Sequence, residues 1–486
     1  MNNEKDSKVI FDNLLFEIHA LENHSRKLEF DSSERNKIAD ESKEYINKYL
    51  EVLPGLKAFT KNDLTELKAI KVEDNGKPFE QLLSILQNEV DQAGINSASG
   101  RHLGYIPGGG IWSSAIADFL AAAANRYAGI SYSSPGAVII ENQLIKWLCS
   151  IIGYPASAHG NLTSGGSTAN LTAIQVARDS FGINAGNVRR STIYFTAQAH
   201  HSIQKAFHTT GLHEAIQRII PMNSNFQMDV SALNEKITQD KNEGLNPFLV
   251  IASAGTTDIG AIDQLDLIAD ICSRYNLWFH VDAAYGGFFM LVDELKEKFK
   301  GIERSDSVVM DPHKSLFLPY GSGTVLIRDR NKLLASYSHN AAYMQDSLDS
   351  DELNPADCGI ELSKHFRGLR LWLPLHLHGL DVFRANLQEK ILLAQYFYRS
   401  IKEMGFETGP TPELSVVLFR LPAEEKNQLN KNLLNALLED GRCFFSSTLI
   451  NNEFWIRCAI LSFRTHLAEI DLALQMIKEN VVKINK

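Results

Sequence analysis

Apolar residues recur at helical spacing over residues 8–22 (VIFDNLLFEIHALEN) and again over 33–50, where the Pro54-Gly55 turn ends the second run. The spacing predicts two amphipathic helices in an N-terminal arm. That arm is either a simple packing element or a clasp between two copies of the chain. Further along, short β-rich apolar runs alternate with helical patterns. The runs are 191–195 (STIYF), 247–253 (PFLVIAS), 277–283 (LWFHVDA), 306–310 (DSVVM) and 323–327 (GTVLI). The helical patterns lie at 168–179, 201–210, 264–275 and 291–299. Continuous apolar strands separated by helices predict an α/β fold, a mostly parallel sheet flanked by helices on both faces. After residue 369 the rhythm changes. Helical patterns at 376–404 and 424–440 flank strands near 413–420 and 454–459, which predicts a small α+β domain. The expected division is an arm (1–95), a large domain (96–369) and a small C-terminal domain (370–486).

Composition narrows the class of partner. With 44% apolar residues among 486, the chain can bury a large core. Its net charge of −10 and lack of a long Lys/Arg run argue against nucleic acid or an anionic membrane as partner. No run of 18 or more apolar residues predicts a membrane span, and the N-terminus carries no secretory pattern. The five cysteines are scattered and include no C-x-x-C pair, which fits reduced thiols in a cytoplasmic protein.

Ligands of open parallel sheets sit at the carboxyl ends of the strands, so the strand ends are where chemistry is expected. The stretch LTSGGSTANLTAIQVARD (162–179) runs from a Gly-rich turn into a helix. Gly165, Gly166, Ser167 and Thr168 there offer unpaired N–H groups to a phosphate, or simply begin a capped helix. The spacing matches neither a Walker A loop nor a dinucleotide fingerprint. The run 277–283 carries Asp282 at its end, where a carboxylate needs a cation or strong donors. It serves either a salt bridge or the ring nitrogen of a cofactor. The run 306–310 leads into Asp311, Pro312, His313 and Lys314. A desolvated amine is a better nucleophile, as Schiff-base chemistry requires. Lys314, Asp282 and the Gly166-Ser167 turn supply what pyridoxal phosphate (PLP) needs: an amine for its aldehyde, an acid for its pyridine nitrogen and a cup for its phosphate. His376 and His378, two apart in LHLHGL, read as packing residues, and no metal site is expected.

These motifs resemble the group II amino-acid decarboxylases, which are fold-type I PLP enzymes. The likeness rests on HVDAAYGG (280–287), DPHKSL (311–316), TAQAHHSIQKA (196–206) and SAGTTDIGAID (253–263), and runs from about residue 95 to 470. It implies that Lys314 forms the Schiff base and that Asp282 pairs with the pyridine nitrogen. It implies that His200 stacks on one ring face, with His201 the adjacent alternative, and that Ala284 packs on the other. Thr257 would contact the ring's substituents or Asp282. Gly166, Ser167 and His313 would hold the phosphate, with Asp311 beside them where many relatives have Asn. The resemblance also implies a homodimer with its active site at the interface. Tyr343, followed by the polar, turn-rich stretch 345–359, falls where the family carries a proton-donating loop tyrosine. Tyr105 and Pro107 would line the substrate pocket, with Ile106 and Gly108-Gly109-Gly110 replacing bulkier family residues. The implied activity is decarboxylation of an L-amino acid to its amine. Transamination, aldehyde-forming oxidative deamination and a catalytically silent binding protein are the rival readings.

Overall fold

The computed structural model describes residues 2–61, 64–338 and 352–484. Residues 1–56 with 61–94 form one compact unit, and 57–60 with 95–486 form a second. In the first unit, helices Asn2–Ser25 and Ser32–Val52 cover both predicted amphipathic runs. The second helix opens on a capping box in which Asp31 accepts from the Glu34 N–H and Glu34 reaches back to the Asp31 N–H.

The second unit is built on a seven-stranded sheet. Its strands are β1 (His159–Thr163), β2 (Ser191–Thr196), β3 (Ile216–Ile220), β4 (Asn246–Ser253), β5 (Trp278–Asp282), β6 (Ser307–Met310) and β7 (Gly323–Ile327). Their spatial order is β1-β7-β6-β5-β4-β2-β3. The five strands from β3 to β6 run parallel, and β7 pairs antiparallel with β6 and β1. Alternation along each strand divides its side chains between two cores. Val250, Ala252, Phe279 and Val281 enter one. Leu249, Ile251 and Trp278 enter the other, where Ala169, Ala173, Ile203 and Ala206 from two helices cover them. His280 and Asp282 share the parity of Trp278, so they face that same helix layer. This parity is the first cause of the site geometry.

Four segments differ from the sequence expectation. The helix expected at 291–299 is instead a 3₁₀ segment, Asp293–Phe299, which follows another, Gly287–Leu291. Asp293–Phe299 buries only Leu295 and Phe299, too little apolar surface to stabilise a longer helix. The long C-terminal pattern 376–404 is broken into Leu369–His378 and Leu380–Glu403, because Gly379 sits at φ 74° between them. The strands β1 and β3 also carry no clear apolar run (HGNLT and IQRII). The C-terminal part is an antiparallel sheet of Glu407–Thr408, Val416–Arg420, Glu453–Ala459 and Ser446–Ile450, in that order. Helices Leu380–Glu403, Lys426–Asp440 and Leu467–Ile484 pack on it through Phe397, Leu437 and Ile477. Among the described residues, no helix is long and apolar enough to cross a membrane.

Burial has a consequence for acid stability. His102 and His159 are held out of water, which pushes both imidazoles down to about 4. Their folded values lie below the unfolded one, so no penalty exists above about pH 6.5 and one grows as pH falls toward 4. Each costs about 2 kcal/mol at pH 5. Asp263, raised by burial to about 6, acts with the opposite sign and returns about 1 kcal/mol between pH 7 and 5. A net loss of about 3 kcal/mol from these three groups is therefore expected over that interval, and His280, also buried and held at about 4, adds to it in the same direction. Urea unfolding at the two pH values checks it; equal midpoints would rule out neutral buried histidines as a source of acid lability.

Candidate active site

Three strand ends and one helix start converge on a cavity of about 310 Å³, within the size range of small-molecule sites. Register places Ser253 beside Asp282 and Asp282 beside Val309, so β4, β5 and β6 finish at one edge. Beyond β6, the single turn Pro312–Ser315 carries Lys314. Its Nζ lies 3.0 Å from Asp311 Oδ2, and His313 Nε2 lies 3.8 Å from the same oxygen. The turn is pinned from both sides: Ser315 donates its hydroxyl to the Tyr285 carbonyl, and His313 Nδ1 meets the Ser322 carbonyl. Among the described residues, Asp311 Oδ1 is buried with no hydrogen-bond partner. Burial holds His313 below the usual imidazole range.

At the end of β5, two donors orient the buried Asp282 carboxylate. Asn170 Nδ2 donates to Oδ2 at 3.0 Å, and the Ala284 N–H donates to Oδ1 at 3.1 Å. His200 caps the helix His201–Thr210, its Nδ1 accepting from the Ser202 N–H and lying 2.8 Å from Ser202 Oγ. Burial lowers the His200 pKa, and the nearby Asp282 charge opposes that shift. Across the cavity, the helix Gly166–Ser180 starts with its first amide groups beyond reach of its own carbonyls. A Cβ on Gly166 would meet Asp311 Oδ2 at 2.7 Å, so any larger residue there requires the Asp311 side chain to shift.

Gly166, Ser167, His200, Thr257, Asp282, Ala284, His313 and Lys314 all line this one cavity. Tyr105 and Pro107 do not line it. Tyr105 is 57% exposed and packs on Phe444 with ring centroids 5.7 Å apart. The segment after it lies against the Lys314 region, where the Ile111 N–H donates to the Phe317 carbonyl at 2.8 Å. Tyr343 lies outside the described residues. His376 stacks on Trp372, and His378 Nε2 lies 2.9 Å from Ser113 Oγ, so both are engaged in packing contacts.

Two residues with no expected role also shape the site. Asn170, one turn into the phosphate-side helix, contacts Asp282. Arg457 is buried in the strand Glu453–Ala459 and binds the carbonyls of Thr257, Asp258 (2.9 Å) and Tyr105 (3.4 Å), joining two stretches of the pocket's surroundings. A charged residue inside the apolar run FWIRCAI was the available signal for it.

The donor set fits PLP. The cavity offers an amine, a buried carboxylate some residues away in chain but adjacent in the sheet, and a glycine-lined helix start. The unpartnered Asp311 oxygen marks a place where the protein alone leaves hydrogen bonding incomplete.

Comparison with known proteins points the same way. A family described as the pyridoxal-dependent decarboxylase conserved domain matches residues 62–422. An aromatic-L-amino-acid decarboxylase of Bacillus atrophaeus is 35% identical over 428 residues, 86% of this chain and 88% of that one. A phenylacetaldehyde synthase of Arabidopsis thaliana is 28% identical over 89% of this chain and 92% of its own. The crystal structure of Oryza sativa TDC with PLP and tryptamine superposes with a TM-score of 0.89 at 23% identity, covering 94% of this chain and 99% of that one. The chain belongs to the pyridoxal-dependent decarboxylase family, the amino-acid decarboxylases that use PLP as their cofactor.

Proposed function

We propose that this chain decarboxylates an L-amino acid to its amine and carbon dioxide, with Lys314 as the covalent anchor of PLP. The observation that carries the reading is the convergence of Lys314, Asp282, His200 and the Gly166 helix start on one cavity. PLP, when bound, supplies the electron sink that accepts the pair left on the substrate carbon as carbon dioxide departs. The chain's residues do the rest. Lys314 Nζ would hold the cofactor through its aldehyde carbon and supply the amine that a substrate amine displaces. The Asp282 carboxylate, held by Asn170 and the Ala284 N–H, would keep a proton on the pyridine nitrogen. His200 would cover one face of the ring and Ala284 the other, both excluding water. Gly166, Ser167 and His313 would hold the phosphate, and Thr257 would contact the ring's substituents or Asp282. Tyr105 and Pro107 lie outside the cavity that Lys314 lines, and would meet the substrate's side chain beyond it. Tyr343 returns a proton to the substrate carbon.

The reading includes a cytoplasmic homodimer with the site at its interface. Two observations support a second copy: the helix Asn2–Ser25 exposes Ile10, Phe11, Phe16 and Leu21 by 59–77%, and Phe119, Tyr132 and Leu377 are exposed by 64–74%. Light scattering on the purified chain tests it; a monomer at micromolar concentration overturns it.

A panel of L-amino acids, assayed for amine, carbon dioxide, ammonia and peroxide, identifies the substrate. Amine and carbon dioxide in equal amounts are expected. Stoichiometric ammonia with peroxide and no amine would replace the reading with the aldehyde-forming one, which the phenylacetaldehyde synthase relative keeps in view. Tyr343→Phe is expected to cut amine formation about 10²-fold or more and to divert product toward aldehyde. An unchanged amine yield removes Tyr343 from proton return.

A further inference from the structure

Behind Asp282 runs a chain of buried side chains whose hydrogen bonds admit one direction only. At the pocket end stands a carboxylate, which accepts and cannot donate, so Asn170 turns its Nδ2 toward Asp282 Oδ2 at 3.0 Å. Its Oδ1 then faces His280 Nε2 at 3.0 Å, which must carry a proton. His280 is fully buried, and burial drives its imidazole to the neutral form. Its Nδ1 is therefore a bare acceptor, and Ser307 donates to it at 2.8 Å. Ser307 Oγ in turn accepts from the Trp278 indole N–H at 2.9 Å, a group that only donates. Both ends of the chain are fixed by chemistry, and every link between them agrees.

Asn170 also branches. Its second Nδ2 proton goes to Ser202 Oγ at 3.0 Å, and the Ser202 hydroxyl is left to donate to His200 Nδ1. The neutral His200 ring then carries its proton on Nε2. One amide, 1% exposed and with both of its N–H donors engaged, thus sets both the Asp282 carboxylate and the His200 ring.

We infer that Asn170 is a positioning residue for the cofactor ring, aligning the acid at the pyridine nitrogen and fixing the tautomer of the covering imidazole. The inference rests on the proposed pairing of Asp282 with that nitrogen. Its cause lies in strand parity, which puts Trp278, His280 and Asp282 on the face that meets the Gly166–Ser180 helix.

The test is equilibrium titration of the apo protein with two ligands: PLP, and the carbocyclic analogue in which C–H replaces the ring nitrogen. The native chain is expected to prefer PLP by about tenfold or more, the worth of one charge-assisted hydrogen bond. Asn170→Ala is expected to reduce that preference to about threefold or less while moving the analogue's Kd by less than about twofold. An unchanged preference, or equal weakening of both ligands, overturns the inference. A native chain with no preference overturns the Asp282 pairing itself, and the inference with it. Ser307→Ala gives a second arm at the far end of the chain, where it releases the His280 tautomer and also leaves the Trp278 indole N–H without its acceptor. It is expected to lower the preference about two- to threefold, with the thermal midpoint of the apo protein falling as well; no change in preference there removes His280 and Ser307 from the positioning chain and overturns the directed order.

Discussion

Lys314→Ala is expected to abolish amine release, with kcat falling about 10⁴-fold or more, the scale of losing a covalent nucleophile. Lys314 is the one amine among the described residues lining the cavity. It has two tasks in the proposed reaction: it fixes the cofactor's aldehyde carbon in place, and it returns to that carbon to release product. Alanine also strips Asp311 of its ion-pair partner at 3.0 Å, leaving a buried carboxylate with His313 as its remaining basic neighbour among the described residues. Lys314→Arg separates the two effects. It keeps a cation beside Asp311 but offers no amine of use at neutral pH. Activity is expected to fall as far as in the alanine variant, with thermal stability closer to the native chain. Borohydride reduction followed by intact mass supplies the second reading. The native chain is expected to gain one cofactor mass irreversibly and neither variant to gain any. Residual activity above about 1% in Lys314→Ala would place the anchor elsewhere.

Much of this site was legible in the sequence because strand ends of a parallel sheet are gathered by topology. Once 247–253, 277–283 and 306–310 read as neighbouring strands, Asp282 and Lys314 had to approach each other, whatever the details of packing. The Gly166 helix start is readable for a similar reason, since a glycine turn before a helix is a local signal. Other features were not local. Asn170 meets Asp282 across 112 positions, and only the face parity of β5 makes them neighbours. Arg457 reaches Thr257 across 200 positions, from a sheet whose docking no periodicity encodes. The edge strand β3 escaped notice because it is half-exposed, so IQRII shows no sustained apolar run. The break at Gly379 was hidden for the opposite reason: the helical pattern continues through it, and one backbone angle decides. The helix expected at 291–299 gave way to a 3₁₀ segment because Asp293–Phe299 carries Leu295 and Phe299 at helical spacing but buries nothing else.

Asp282→Asn is expected to cut kcat about 10²- to 10³-fold while KM for the amino acid stays within about threefold. The split follows from when the carboxylate acts. Substrate binding leaves the pyridine nitrogen's charge unchanged, whereas loss of carbon dioxide sends an electron pair toward it, and a protonated nitrogen is stabilised most at that moment. Asparagine matches aspartate in shape, but its surroundings refuse it. The Ala284 N–H needs an acceptor, which draws the asparagine oxygen to the site of Oδ1. The amide nitrogen is then left facing Asn170 Nδ2, donor against donor, where the native Oδ2 accepted at 3.0 Å. Turning the side chain over relieves that clash only by setting its nitrogen against the Ala284 N–H. Neither arrangement holds a proton on the ring. Steady-state kinetics at saturating cofactor measure the effect. A rise in KM with kcat intact would mean that Asp282 binds substrate uniformly and takes no part in stabilising charge at the ring; a fall in kcat that Asn170→Ala reproduces in part, at the same KM, would tie the carboxylate's worth to the amide that aims it.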